Sequence, residues 1–333
     1  MKLKNFNLKK KVFIIAEVGN NHEGNFTVAK KLVRQAAKAG ADAVKFQTFK
    51  TENFVRTKDK KRFKQLKKFE LSFENFKTLK EFANKKKLKF ISTPLDLESA
   101  NFLIKNADMI KISSGDNNFF PLIDKVLKSK KKIIISCGML NFKDIKNLIN
   151  HIYKMIGKKS AHERVALLHC VTSYPVENKY ANLNSIKFLR DKLSFSVGYS
   201  DHTIGIEGCL AAISLGATII EKHFTLDKNF SNFRDHHISA DYTDLKQIVS
   251  SSKIIREQLG NYKKKIQKCE TNLISSVRRS AYASRDIFSG EKIDENNIKF
   301  LRPAISKNYL SLKKILGKKI RKKVLKNNVI NLK

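Results

Sequence analysis

The sequence predicts an α/β fold, a closed (β/α)8 barrel of the TIM type followed by a small, mostly-β domain. Short apolar runs alternate with segments of helical periodicity, and this pattern repeats eight times over residues 1–260. Polar residues stand at the end of each apolar run, as they do in barrel enzymes. After residue 260 the alternation stops. An open, doubly wound sheet is the alternative, but eight evenly spaced units favour closure.

Each strand is predicted from a short apolar run. We expect the eight strands at Val12–Ala16, Ala43–Phe46, Leu88–Ser92, Met109–Ile112, Ile133–Ser136, Val165–His169, Leu193–Gly198 and Ala217–Ile220. The helices are predicted from apolar residues three and four positions apart. We expect them at Thr27–Ala39, Phe73–Lys86, Leu97–Lys105, Pro121–Leu127, Phe142–Ile156, Leu183–Leu189, Gly205–Leu215 and Tyr242–Leu259.

Residues 50–72 form a polar and basic insertion in this alternation. We predict a loop with a short helix there, and Ser72 as the N-cap of the next helix. The basic N-terminus leads into a brief apolar run that Glu17 interrupts, so we expect a first strand rather than a signal peptide.

The chain has 333 residues, more than one compact domain commonly holds. We predict three parts: a barrel domain over residues 1–260, a linker over 261–276, and a small domain over 277–333 that is joined flexibly to the barrel. In the small domain, Val277–Ala283 alternates like a strand and Ser289–Glu291 is a predicted turn.

Composition limits the functional classes. No apolar run reaches the roughly 18 residues of a membrane span. Four cysteines without CxxC spacing indicate reduced thiols and a cytoplasmic protein. The formal net charge of +38 raises the alternative of a non-enzymatic, basic nucleic-acid binder. The lysines are spread over helix faces without a base-stacking pattern, so we expect attraction for anionic substrates and no specific nucleic-acid binding.

Two histidines stand at the ends of the last two predicted strands. His202 lies in the stretch SVGYSDHTIG, and His223 lies in GATIIEKHFTLDK. Parallel strands joined by a helix lie side by side, so both imidazoles would open onto the same end of the sheet. Such a pair could hold a divalent metal and leave coordination positions for a substrate. The alternative is that each histidine is simply hydrogen-bonded near the sheet edge.

Polar residues at the other strand ends have the chemistry of a phosphate site. Two cations and four hydroxyls come from different strands: Lys45, Lys111, Thr93, Ser114, Ser136 and Ser200. The lysines are the stronger candidates, because a lysine in a barrel mouth costs free energy unless an anion pairs with it. Each serine or threonine could instead cap a helix or turn. Glu17 and Asp116 are candidate acid–base groups.

Eight short motifs stand in one order along the chain, and together they resemble the sialic acid synthase family. They are IIAEVGNNHEGN, ADAVKFQT, FISTPLD, KISSGDNNFFPLI, IISCGM, LLHCVTSYP, GYSDHTIG and EKHFTLDK. Each motif alone is weak, whereas eight in order are specific and cover nearly the whole chain. The C-terminal segment is similar to the family's antifreeze-like (SAF) domain, including FLRP at Phe300–Pro303.

The resemblance implies an N-acetylneuraminate synthase-like transferase. It would condense phosphoenolpyruvate with N-acetylmannosamine, or a related 2-acetamido hexose, to give a nine-carbon ulosonic acid and phosphate. A 2,4-diacetamido-6-deoxy hexose, giving a legionaminic- or pseudaminic-type acid, is the alternative substrate. The implied cofactor is a divalent ion on His202 and His223, with Mn²⁺ first and Mg²⁺ or Co²⁺ as alternatives.

The resemblance also assigns roles to residues. Phosphoenolpyruvate would contact eight side chains: Lys45, Thr93, Lys111, Ser114, Ser136, Thr172, Tyr174 and Ser200. The sugar would meet Glu17 and Asp235, and Arg302 would reach it from the small domain of a partner subunit. That arrangement implies a domain-swapped homodimer. The implied catalytic groups are Glu17, Asp116 and Lys111.

Two positions depart from the family pattern. Asp116 stands where the family often has glutamate, and Cys137 stands where it usually has threonine; the first leaves the acid–base partner open. A rival interpretation is another phosphoenolpyruvate-dependent aldol synthase, which makes a 3-deoxy sugar acid from a pentose or tetrose phosphate. Those barrels lack the FLRP module, which argues against that interpretation.

Overall fold

The structure is a computed structural model that describes residues 1–3, 6–8, 10–305 and 314–332. The chain divides into two compact units, Met1–Gly260 and Asn261–Lys333. In the first unit eight parallel strands, paired in chain order, form a closed barrel. The predicted (β/α)8 barrel is therefore confirmed.

The strands of the barrel are β1 Phe13–Gly19, β2 Ala43–Thr48, β3 Lys89–Pro94, β4 Met109–Ile112, β5 Lys132–Ser136, β6 Val165–Cys170, β7 Ser196–Asp201 and β8 Ile219–His223. The helices of this unit are α1 Phe26–Ala39, α2 Thr51–Phe54, α3 Lys60–Phe69, α4 Phe73–Lys85, α5 Leu97–Asn106, α6 Phe120–Lys128, α7 Phe142–Ile156, α8 Lys158–Arg164, α9 Asn184–Lys192, α10 Glu207–Ser214, α11 Arg234–His237 and α12 Tyr242–Leu259. None of the described helices is both long and apolar enough to cross a membrane.

Several strands extend further than the sequence predicted. β1 ends at Gly19 rather than Ala16, β7 at Asp201 rather than Gly198, and β8 at His223 rather than Ile220. Polar residues expected just after the strands are therefore their last residues. The prediction ended each strand where its apolar run ended, but polarity does not end a strand whose polar side chains find partners inside the barrel.

The barrel interior is apolar in its lower half. Its packed side chains include Phe13, Ile15, Ala43, Ile91, Met109, Ile134, Ala166, Leu168 and Ile219. Side chains alternate along a strand, so the next inward-facing position lies two residues further on. On seven strands this step leads to a polar or sulfur-bearing residue, and β7 adds Ser200. We call these eight residues the polar layer: Glu17, Lys45, Thr93, Lys111, Ser136, Cys170, Ser200 and Glu221.

The predicted cap and the predicted insertion are both visible outside the barrel. The Ser72 side chain accepts a hydrogen bond from the Asn75 backbone amide at 3.1 Å, which confirms it as the N-cap of α4. The insertion over residues 50–72 forms two helices, α2 and α3, rather than one. The four cysteines are free thiols, and the cytoplasmic location stays a prediction.

The second unit contains an antiparallel pair of strands, β9 Ser280–Ala283 and β10 Ile298–Leu301. β9 is shorter than the predicted strand over Val277–Ala283. Before it, the predicted linker contains helical segments at Lys268–Leu273 and α13 Ile274–Val277. Buried alanines and isoleucines form the core: Ala281, Ala283, Ile287, Ile293, Ile298, Ile315, Ile320 and Ile330.

The FLRP stretch follows directly from this pairing. Phe300 pairs with Ala281 in the two-stranded sheet, and Arg302 lies exposed in the bend after β10. The Tyr282 hydroxyl donates to the Pro303 carbonyl at 2.7 Å. The backbone on either side of Arg302 is thus held while its guanidinium is solvated.

Candidate active site

A cavity of about 730 Å³ opens at the carboxyl end of the barrel, with the polar layer as its floor. Loops after the strands form its walls. Twelve of the site residues predicted from the sequence line it: Glu17, Lys45, Thr93, Lys111, Ser114, Ser136, Thr172, Tyr174, Ser200, His202, His223 and Asp235. The structure thus brings together twelve of the predicted residues among the 26 that line the cavity.

Two lysines and two glutamates of the polar layer form one buried ionic network. Lys45 Nζ lies 3.3 Å from Glu17 Oε2 and 3.2 Å from Glu221 Oε1. Lys111 Nζ lies 2.8 Å from the same Glu221 oxygen, to which the Ser200 hydroxyl also donates at 2.8 Å. Within the protein itself, the buried lysines are thus paired with carboxylates.

The two glutamates differ in their electrostatic surroundings. Burial raises the pKa of Glu17 to about 7, against the attraction of Lys45 and with repulsion from Glu221. Burial acts on Glu221 in the same direction, but Lys111 and Lys45 outweigh it and hold the pKa of this carboxyl well below its usual range. Near neutral pH Glu17 can therefore give or take a proton, whereas Glu221 stays a carboxylate.

The two predicted histidines lie together, with ring centroids 5.4 Å apart. His202 Nδ1 donates to the Val171 carbonyl at 2.9 Å, which leaves the Nε2 lone pair free. His223 Nδ1 makes no hydrogen bond to a described residue and lies 3.8 Å from Asp235 Oδ2. Burial lowers the pKa of His202 to about 4 and that of His223 well below its usual value. Both imidazoles are neutral at pH 7.

Neutral imidazoles with open nitrogens are suitable ligands for a divalent ion. No cluster of three or more His, Cys, Asp and Glu side chains arranged as metal ligands occurs in the part of the chain that the structure describes. The protein thus presents two imidazoles, and further coordination positions would be left to substrate or water.

Hydroxyls complete the wall of the cavity near β4 and β5. Ser114 Oγ accepts from the Gly138 amide at 3.1 Å, and the buried Ser136 hydroxyl has no partner among the described residues. A Cβ at position 138 would lie 2.4 Å from Thr172 Oγ1 and 2.6 Å from Ser114 Oγ. Only glycine allows this close approach. Because the Ser136 hydroxyl has no described partner, it remains available to a bound anion.

Comparison with known proteins places this geometry in a family. A model of the NeuB family matches residues 32–264, and a model of the SAF domain matches residues 278–332. The chain belongs to the NeuB family. The resemblance to sialic acid synthases with a C-terminal SAF domain is thereby confirmed.

Named relatives of this NeuB-family chain include two curated enzymes of Campylobacter jejuni. An N,N'-diacetyllegionaminic acid synthase is 41% identical over 323 residues, which cover 93% of this chain and 96% of the relative. A pseudaminic acid synthase is 33% identical over 341 residues, 97% of this chain and 96% of the relative. A crystal structure of the N-acetylneuraminic acid synthetase of Leptospira borgpetersenii, in complex with citrate, superposes with a TM-score of 0.76. It is 35% identical and covers 82% of this chain and 94% of that chain.

Two predicted site residues of the NeuB-family chain lie outside the cavity lining. The Asp116 carboxylate accepts a hydrogen bond from the Ser113 hydroxyl at 2.5 Å, and Ser113 rather than Asp116 lines the cavity. Burial raises the pKa of Asp116. Arg302 belongs to the second unit. The catalytic role of Asp116 and the sugar contact of Arg302 therefore stay predictions.

Sequence reasoning gave no role to Glu221, which is central to the ionic network. The signal was present, because Ile219, Glu221 and His223 are two residues apart on one strand and point the same way. An inward-facing glutamate directly below a candidate metal ligand belongs to the site. Asn20 and Gln47 were also missed; they line the cavity and are joined by a hydrogen bond of 2.9 Å.

The inner face of α3 was missed as well. Arg62, Gln65, Leu66 and Phe69 are spaced i, i+3, i+4 and i+7, and the first three line the cavity. The Arg62 guanidinium lies 5.7 Å from the Phe54 ring centroid, and no described carboxylate lies within 4.0 Å of it. The strongly basic outer face of this helix obscured its inner face in the sequence.

Proposed function

We propose that this protein condenses phosphoenolpyruvate with a 2-acetamido hexose, such as N-acetylmannosamine, to give a nine-carbon ulosonic acid and phosphate. The observation that carries the proposal is the pair of neutral histidines beside a buried lysine–glutamate network and an unpartnered serine hydroxyl. This arrangement offers one position for a carbonyl oxygen and another for a phosphorylated anion. Membership in a family of biosynthetic synthases argues against the alternative of a non-enzymatic nucleic-acid binder.

The anion would lie on the polar layer. Lys45 and Lys111 supply the charge, Thr93, Ser114, Ser136 and Ser200 supply hydroxyls, and Thr172 and Tyr174 reach the carboxylate. Glu17 and Glu221 already pair with these lysines before substrate binds. The site can therefore carry two cations for a multiply charged substrate without burying two unpaired ammonium groups in the free protein.

The proposed cofactor is a divalent ion held by His202 and His223, with Mn²⁺ preferred and Mg²⁺ or Co²⁺ as alternatives. When bound, such an ion supplies Lewis-acid polarisation of a carbonyl oxygen. The Val171 carbonyl fixes His202 in the tautomer that leaves Nε2 open. Asp235, close to His223, faces the same part of the cavity and would hold the sugar hydroxyls.

The reaction forms a carbon–carbon bond between C3 of phosphoenolpyruvate and the aldehyde carbon of the open-chain sugar. Water adds to the resulting cation at C2 and loses one proton to leave a hydroxyl. That hydroxyl then loses its proton and forms the C2 carbonyl as the C2–O bond to phosphate breaks. In this proposal Glu17 hands a proton to the former aldehyde oxygen, and Lys111 and Lys45 stabilise charge on the departing phosphate. Positioning and electrostatic stabilisation, rather than a covalent enzyme intermediate, account for catalysis.

A panel of acceptors with phosphoenolpyruvate, scored by phosphate release, tests the proposal. We expect release to require an unphosphorylated acetamido hexose. The 41% identity to a diacetyllegionaminic acid synthase favours a second candidate acceptor, a 2,4-diacetamido-6-deoxy hexose. Turnover with a pentose or tetrose phosphate alone would assign the chain to the rival class of aldol synthases.

We propose in addition a homodimer in which the small domain of each chain, with residues 261–276 as the linker, completes the partner's cavity through Arg302. Arg302→Ala should weaken use of the sugar and leave the KM for phosphoenolpyruvate nearly unchanged. Arg302→Ala and His202→Ala chains should each be nearly inactive alone and recover activity when co-expressed, because a mixed dimer contains one intact site. No recovery in a verified heterodimer would show that Arg302 acts within its own chain or not at all.

A further inference from the structure

One short segment after β8 supplies four consecutive residues to the cavity wall. Asn232, Phe233, Arg234 and Asp235 all line the cavity, and Asp235 lies beside His223. A cavity wall that lies outside the barrel strands is only as well defined as the contacts that hold it in place. The loop after β1 contacts the residues on both sides of this segment.

The imidazole of His236 is the first fixed point. It is almost completely buried, and its Nδ1 lies 2.7 Å from Thr225 Oγ1. Its Nε2 lies 3.3 Å from Glu23 Oε1, which also accepts a hydrogen bond from the Ser231 hydroxyl. Glu23 therefore holds the segment at Ser231, just before Asn232, and at His236, just after Asp235.

Asn21, two residues before Glu23, provides the second fixed point. Its side-chain amide donates to the Phe224 carbonyl at 3.0 Å and to Ser239 Oγ at 2.9 Å. The Ser239 hydroxyl in turn donates to the backbone carbonyl of Asp235 at 2.5 Å. Glu23 and Asn21 thus act on the same segment from one loop. The described hydrogen bonds of both side chains go to residues after β8 and not to residues of their own loop.

An aromatic contact completes the support. The Phe69 ring of α3 packs edge-on against Phe233, with centroids 5.1 Å apart, and Phe230 lies 5.1 Å from the His236 ring. Neither Glu23 nor His236 lines the cavity. Both residues would therefore act on the reaction through the position of Asn232–Asp235.

We propose that the Glu23–His236 contact is a latch that positions Asn232–Asp235 and thereby sets the acceptor-sugar side of the site. The inference rests on the proposed function, in which Asp235 meets the sugar and the polar layer meets phosphoenolpyruvate. The described hydrogen bonds and ion pairs of Glu23 and His236 include no residue of the polar layer. The latch should therefore act on one substrate and not on the other.

The kinetic test compares Glu23→Ala and His236→Ala with two matched variants. Glu23→Gln keeps an acceptor oxygen, and His237→Ala removes the exposed neighbouring histidine. We expect the first two to raise the KM for the acceptor sugar about tenfold or more, the scale of a lost hydrogen bond that leaves its buried partner unsatisfied. The KM for phosphoenolpyruvate should change less than about twofold, and the two matched variants should stay close to wild type.

The structural test does not depend on turnover. Amide hydrogen exchange of residues 229–237 in the full-length protein should become faster in Glu23→Ala and His236→Ala, while the barrel strands keep their protection. Unchanged exchange in this segment, or a parallel rise of both KM values, would overturn the latch. If the wild-type protein turns over no acetamido hexose, the proposed function fails, and the exchange result still decides whether the latch exists.

Discussion

His202→Ala and His223→Ala are each expected to lower turnover by at least about 10³-fold, because Lewis-acid stabilisation of a developing oxyanion contributes several kcal/mol. The two rings are neutral, neighbouring donors in the cavity, and His223 lies beside Asp235. Steady-state kinetics of the purified variants would measure the loss. Metal content per chain, measured by elemental analysis, should fall in parallel.

Removal of the metal from the wild-type protein should reproduce this effect. Exhaustive chelation should abolish activity, and Mn²⁺, Co²⁺ or Mg²⁺ should restore it. His169→Gln is a suitable control, since His169 is a buried histidine at the end of β6 that bonds the Ala181 carbonyl and does not line the cavity. Full activity of His202→Ala after chelation would contradict the metal site.

Lys111→Met is expected to cost both stability and activity. Its ammonium group is buried and lies 2.8 Å from Glu221, so its removal leaves a buried carboxylate with Lys45 as its remaining cation. Breaking a buried pair in this way costs about 3–5 kcal/mol of the free energy of unfolding. Urea unfolding would measure this loss, and the KM for phosphoenolpyruvate should rise because a charge-assisted contact is lost.

A second substitution separates the two effects. Lys111→Met combined with Glu221→Gln removes the excess buried negative charge, so it should recover most of the stability but not the use of phosphoenolpyruvate. Lys222→Met is the control: Lys222 is equally buried, but it pairs with Asp201 at 2.9 Å and does not line the cavity. It should lower stability and leave the KM for phosphoenolpyruvate near the wild-type value. Recovery of that KM in the double variant would show that Lys111 does not contact the anion.

The repeating pattern of the barrel was readable from sequence because apolar periodicity and the order of strands determine it. The histidine pair was readable for the same reason, since consecutive parallel strands must end side by side. The ends of β1, β7 and β8 could not be predicted, because a polar residue inside a barrel and a polar residue after a strand look alike in the sequence. Their assignment depends on partners from other strands, as for Glu17 with Lys45.

The loop contributions to the site were the least predictable. Arg62 and Arg234 reach the cavity from segments without strong apolar periodicity, and these two segments meet in the contact between Phe69 and Phe233. His236 received no role from the sequence, but it is buried between Thr225 and Glu23. The Phe69–Phe233 and Glu23–His236 contacts join residues more than 150 positions apart, and no local sequence pattern predicts them.

The barrel interior changes from apolar to polar between two successive inward-facing positions of each strand. This change has a consequence for engineering. Each strand gives a single side chain to the polar layer, while the packing below is made by different residues. Single substitutions on separate strands can therefore change the side chains of the polar layer without repacking the apolar core. The ionic network limits such redesign. Exchanges that keep the sum of buried charges at zero should be tolerated, and exchanges that change this sum should lower the free energy of unfolding.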